Sequence, residues 1–358
     1  MNTPTARKGR GASRGALLRA FLVASLAFGS SLAQNSRLTP TQPGDAGETL
    51  GVPWTGDRGI TETVAEIMGR EARAPKMPVL PYERKPFLRR LTPPRENPSA
   101  PAVSQWPPLE EAGAAVSDQT QGFVASGVAP LSPQPVGTKF KAISLLSPSE
   151  SQFVPPDSMG DVSPTQILAA ANGRIKVFDK TGALGGLNVT DGVFFSSVSG
   201  GAGITDPQIR YDRLSGRWFV TEVTTTYPNR ILIAVSNGPT ITSASSFTFF
   251  QFQHDLAGPT PNSDTGQAAD YDSLGVDRFA LYIGVNVFNS ALTTFIGSTG
   301  FVVNKANLLG GALTVTAFRQ LGTGTAPGPW APRGVSNDDP AATQGRSEER
   351  RVGKECRL

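Results

Sequence analysis

One cysteine, Cys356, and one histidine, His254, stand in 358 residues. Disulfide scaffolds and Cys/His zinc sites need more of these residues than the chain has, and a thiol–imidazole pair would have to draw on Cys356, which stands in the charged tail. His254 lies beside Asp255 in QFQHDLAG, and a lone imidazole next to a turn reads as a solvated loop residue rather than a general base. Long apolar runs are missing as well. AFLVASLAF, residues 20–28, is too short to span a bilayer and carries basic residues on one side only. No later stretch is longer, so no membrane span is expected. The glycine-rich GALGGLNVTDG and VSGGAGITD lack the G-x-x-x-x-G-K-[ST] spacing of a phosphate loop and read as loops between strands.

The two ends differ in character from the rest. Arg7, Lys8, Arg10, Arg14 and Arg19 lead into the apolar run, and Ser31 and Ala33 put small residues where a signal peptidase reads. Residues 1–33 are therefore expected to be a signal peptide cleaved after Ala33, and the mature protein to be secreted. At the other end, Arg346–Cys356 looks like an in-frame translation of a sequencing adapter, so 346–358 is expected to be an adapter-derived artefact, with the native chain continuing beyond Gly345. The signal holds five basic and no acidic residues and the tail five basic and three acidic. Of 33 basic and 29 acidic residues this leaves 23 and 26, a net charge of −3. The sequence pI near 9.3 is thus no argument for nucleic acid, and no nucleic-acid partner is expected.

Composition changes once in the mature chain. Residues 34–137 hold sixteen of the 30 prolines and show neither a helical nor a strand period. They are read as a disordered Pro-rich linker, because too little apolar surface is present to offset chain entropy. The one helical pattern in it is ITETVAEIMGREAR, 60–73, with Thr61 as N-cap and Ile60, Val64, Ile67 and Met68 on one stripe.

From 138 to 345 the chain reads as strands. RILIAVSN puts Ile231, Ile233 and Val235 on one face and Leu232 and Ala234 on the other, the pattern of a strand covered on both sides. RFALYIGVNVF puts Phe279, Leu281, Ile283, Val285 and Val287 on one face. DPQIRYDRLSGRWFVTEV at 206–223 is echoed by DYDSLGVDRFALYIGV at 270–285, and two further strands follow each. A looser copy occupies 156–182, and NDDPAATQG opens another. Four-stranded units that recur in this way make the fold class all-β, a β-propeller of which about three blades are present.

VPPDSMGDVSPTQILAAANGRIKVFDKTG, DPQIRYDRLSGRWFV, DYDSLGVD and GVSNDDPAAT together resemble a group of exported bacterial β-propeller-like proteins, over roughly 150–345. The resemblance implies fold and export and assigns no catalytic residue.

Aspartate remains as a source of chemistry. Thirteen Asp and two Glu, Glu150 and Glu222, lie between 139 and 345. Asp157, Asp206, Asp270 and Asp339 open successive units. Each either caps its own turn, or the four ring the propeller axis and bind a polar ligand or a cation, for which calcium is the fitting metal. Two function classes stay open. One is a secreted, non-catalytic binding or scaffold propeller for an extracellular glycan or protein, with loops 254–269 and 319–337 doing the recognition. The other is a polysaccharide hydrolase or lyase with paired carboxylates, in which Asp206 would work with Arg210 and Tyr211.

Overall fold

The structure, a computed structural model, describes residues 51–75, 137–144, 150–151, 153, 155–321, 330–345 and 347–350. The signal peptide, most of the Pro-rich segment and residues 346 and 351–358 of the tail lie outside the described residues.

Two short strands, β1 (Pro53–Thr55) and β2 (Ile60–Thr63), and helix α1 (Val64–Arg73) come first. A first antiparallel meander follows: β3 (Met159–Val162), β4 (Gln166–Ala171), β5 (Arg174–Asp179) and β6 (Leu184–Val189). After the short helix α2 (Asp191–Phe194) comes a second, β7 (Ile204–Asp212), β8 (Arg217–Thr224), β9 (Arg230–Ser236) and β10 (Ser246–Gln253). The third is β11 (Ala268–Val276), β12 (Ala280–Phe288), β13 (Phe295–Asn304) and β14 (Thr314–Phe318), with α3 (Lys305–Leu309) before its last strand. β15 (Trp330–Gly334) pairs with β16 (Ser347–Arg350), which falls in the charged tail. Among the described residues the protein is all-β, and no helix is long and apolar enough to cross a membrane.

The second sheet explains why its strands read as apolar runs. Phe219, Val223, Ile231, Ile233, Val235, Phe250 and Phe252 face the third sheet and join Leu281, Ile283, Val285 and Val287 in one core. Trp218, Val220, Leu232, Ala234, Phe247 and Phe249 face the first sheet and pack with Leu168, Ile175, Val177, Phe194 and Phe195 in another. A sheet with neighbours on both faces has no polar side to alternate with. Phe279 does not join its expected face: it precedes β12, is 41% exposed and packs under the Arg278 guanidinium.

The Pro-rich segment, read as a linker with one helical pattern at 60–73, contributes two strands as well as that helix. β1 pairs with β14 and β2 with β10, which covers the outer edges of the third and second sheets. α1 buries Val64 and Ile67 in the core between the first and second sheets. Its N-cap is Thr63, not Thr61: Glu66 N–H donates to Thr63 Oγ1 and Thr63 N–H to Glu66 Oε2, a capping box written in the sequence as T-V-A-E. Composition over a hundred residues hid a 25-residue segment whose strands are completed by other sheets.

The first strands of successive sheets lie side by side, β3 against β7, β7 against β11 and β11 against β15. Buried asparagines tie each sheet to the next. Asn172 Oδ1 accepts the Asp206 N–H at 2.9 Å, Asn229 Oδ1 the Ala269 N–H at 2.7 Å and Asn286 Oδ1 the Ala331 N–H at 2.7 Å. Asn229→Ala is expected to destabilise the full chain by about 1–3 kcal/mol in urea unfolding, because it strands a buried N–H. A loss within ~0.3 kcal/mol would mean that water replaces the latch.

Candidate functional site

The inner strands share a backbone irregularity that places the carboxylates. The register of β7 on β8 shifts between Thr205 and Gln208, and that of β11 on β12 between Asp270 and Ser273. Inside these bulges Asp206 (φ 61°) and Tyr271 (φ 54°) are left-handed, as are Asp157 (φ 40°) before β3 and Ala331 (φ 47°) in β15. Left-handed backbone is unfavourable for a tyrosine or an alanine, so surrounding contacts must hold it. A bulge also turns an N–H away from its own ladder. The preceding sheet captures it: Asn172 takes the Asp206 N–H, and Asp206 Oδ2 takes the Tyr271 N–H at 3.1 Å.

Three of the four unit-opening aspartates come together. Asp206 is 8% exposed. Burial, then the charges of Asp270 and Asp157, push its carboxyl up to about 7, against the pull of the Tyr271 N–H. Asp157 Oδ2 accepts from Asn172 Nδ2 at 2.7 Å. Asp339 does not join them: it is exposed after β15, and its Oδ1 accepts the Ala341 N–H at 2.8 Å, the cap of its own turn. Neither expected role therefore covers all four, since Asp206 serves the neighbouring sheet rather than its own turn. Among the described residues no group of three His, Cys, Asp or Glu side chains is placed to hold a metal ion.

Two carboxyls lie deeper. Glu222 on β8 faces the core between the first and second sheets, fully buried, and neither oxygen has a hydrogen-bond partner among the described residues. Burial raises its pKa well above the ordinary value, and the charges of Asp191, Asp272 and Asp206 add to the shift. Asp272, also fully buried and raised by burial, accepts from Thr221 Oγ1 at 2.6 Å.

The trio expected of an enzyme is not assembled. Arg210 donates to the Ile209 carbonyl at 2.7 Å and has Asp161 rather than Asp206 as its nearby carboxylate. The Tyr211 ring packs on Trp218 at 4.9 Å, and its N–H goes to Asp161 Oδ2 at 2.7 Å. His254 is fully buried, not solvated. Its Nδ1 lies 3.2 Å from the Asn229 carbonyl and burial lowers its pKa. Loop 254–269 is tied down from inside: Arg319 pairs with Asp264 and donates to the carbonyls of His254 at 2.8 Å and Ala257 at 2.6 Å. Of the second expected recognition loop, 322–329 lies outside the described residues. Sequence reading missed the asparagine latches, whose signal is only a buried Asn at the end of an inner hairpin.

No protein-family model matches the chain, and no curated protein sequence does. A solved structure that matches is a native arabinanase of Bacillus subtilis, at 11% identity over 43% of this chain and 67% of the other, with a TM-score of 0.23. That score falls short of a shared fold.

Proposed function

We propose that the chain is a secreted, non-catalytic binding scaffold whose sheets are successive blades of a partial β-propeller, with β3, β7, β11 and β15 along the axis. Three four-stranded meanders whose first strands adjoin support the propeller reading. Export through the 1–33 signal and the adapter origin of 346–358 belong to the same reading. The observation that carries the non-catalytic reading is the bond from Tyr271 N–H to Asp206 Oδ2. The carboxyl whose pKa best suits acid–base work near neutrality holds one sheet to the next and is almost closed to solvent.

A glycoside hydrolase or lyase is the second reading, favoured by that same carboxyl at about 7 beside Asp157 and Asp270. One experiment separates the two. The full chain is incubated with a panel of neutral and acidic polysaccharides, then assayed for released reducing ends and for retention on the immobilised polymers. Retention without release is expected. Release that Asp206→Asn abolishes, in a variant that remains folded, would replace the binding reading with the enzymatic one.

A further inference from the structure

The first and second sheets leave a cleft of about 350 Å³ between them, lined by Val162, Ser163, Pro164, Lys180, Tyr211 and Arg213. Three turns build it: the one after β3, the one after β5 and the end of β7. One wall of it is aromatic and firm. Tyr211 is backed by Trp218, which is fully buried and fixed by donation from Nε1 to the Pro239 carbonyl at 2.9 Å. Asp161 holds the Tyr211 backbone from the opposite side.

The rim carries two exposed cations, Lys180 and Arg213, with the carboxylates of Asp161 and Asp338 near them. Lys180 makes no hydrogen bond or ion pair among the described residues. The adjacent Asp179 is occupied, its Oδ1 accepting from Thr181 N–H at 2.8 Å and Ala183 N–H at 2.9 Å. Arg213 meets Asp338 at 3.3 Å through Nε, with side chains 71% and 52% exposed, a pair of the kind that contributes little and opens readily. A ring platform beside two accessible cations matches a ring that has an apolar C–H face and bears a negative charge. A peptide partner is less suited, since the sheet edges it would extend are covered in the second and third sheets by β2 and β1.

We infer that this cleft binds an anionic saccharide, a pyranose bearing a carboxylate or sulfate, with its ring on Tyr211 and its charge between Lys180 and Arg213. The inference rests on the binding-scaffold reading and names its ligand class.

Calorimetric titration of the full chain tests it with four probes: tri-galacturonate, a sulfated chondroitin disaccharide, neutral galactotriose and a poly-glutamate peptide. At least one acidic probe is expected to bind and the neutral one not, with affinity falling as salt rises to about 0.5 M. Lys180→Ala with Arg213→Ala is expected to weaken that binding by about tenfold or more. Tyr211→Ala is expected to weaken it while Tyr211→Phe keeps it. The cations are exposed, so an unchanged melting temperature verifies folding. If an acidic probe binds wild type and the double variant alike, the cleft assignment falls while the binding reading stands. Preference for a poly-glutamate peptide over both acidic saccharides overturns the ligand class. If no saccharide binds and Asp206-dependent cleavage is found, both readings go.

Discussion

Lys305→Met is expected to destabilise the full chain by about 3–5 kcal/mol, since it removes one partner of a buried ion pair and leaves the other charge in place. Lys305 opens α3 after the third sheet's β13 and is 4% exposed. Its Nζ lies 2.5 Å from Asp212 Oδ2, at the end of β7 in the second sheet, and donates to the Asp277 carbonyl at 2.6 Å. Asp212 also accepts the N–H groups of Leu214 and Ser215 at 3.1 Å, the turn that Gly216 closes at φ 64°. The carboxylate thus shapes a hairpin and ties two sheets, so its charge cannot simply be lost. Methionine keeps the length of the side chain and removes only the ammonium, which separates electrostatics from packing. Asp212→Asn in the same chain should recover at least half of the loss in urea unfolding, because no buried charge is then uncompensated. A single-variant loss below about 1 kcal/mol would show that water reaches the pair.

Much of this architecture was legible in local pattern. β9 reads as covered on both faces because Ile231, Ile233 and Val235 alternate with Leu232 and Ala234, and two cores do meet there. The second and third meanders fall where the Asp-headed echoes put them. The pattern hid whatever depends on a neighbour. β1 and β2 are too short to be strands alone and exist because β14 and β10 have free edges to fill. His254 reads as a turn residue, yet the Asn229 carbonyl and Arg319 enclose it from other parts of the chain. The aspartates were partly legible: repetition marked Asp157, Asp206 and Asp270 as a set, but which N–H each would accept depends on bulge geometry between sheets. Asp339 shares the sequence signal and not the place.

Glu222→Gln is expected to stabilise the full chain at pH 7, with the gain shrinking towards nothing near pH 4. The reason is which state holds the proton. In the unfolded chain Glu222 titrates near 4.5; in the fold burial holds its pKa well above that. Above pH 4.5 the unfolded state releases a proton that the folded state keeps, so stability from this group is complete below 4.5 and falls by about 1.4 kcal/mol per pH unit above it. Glutamine fills the same volume and has no proton to keep, so its stability curve should lack this slope. Asp206 acts with the same sign, raised from 3.8 to about 7, so its own loss sets in above about 4 and levels off above 7. It is present in both proteins, so the difference between the two curves reports Glu222 together with its coupling to the charges of Asp191, Asp272 and Asp206. Denaturant midpoints from pH 4 to 8 supply that difference. If glutamine instead destabilises at pH 7, Glu222 is ionised in the fold and compensated by a cation or ordered water that its two unpartnered oxygens have captured.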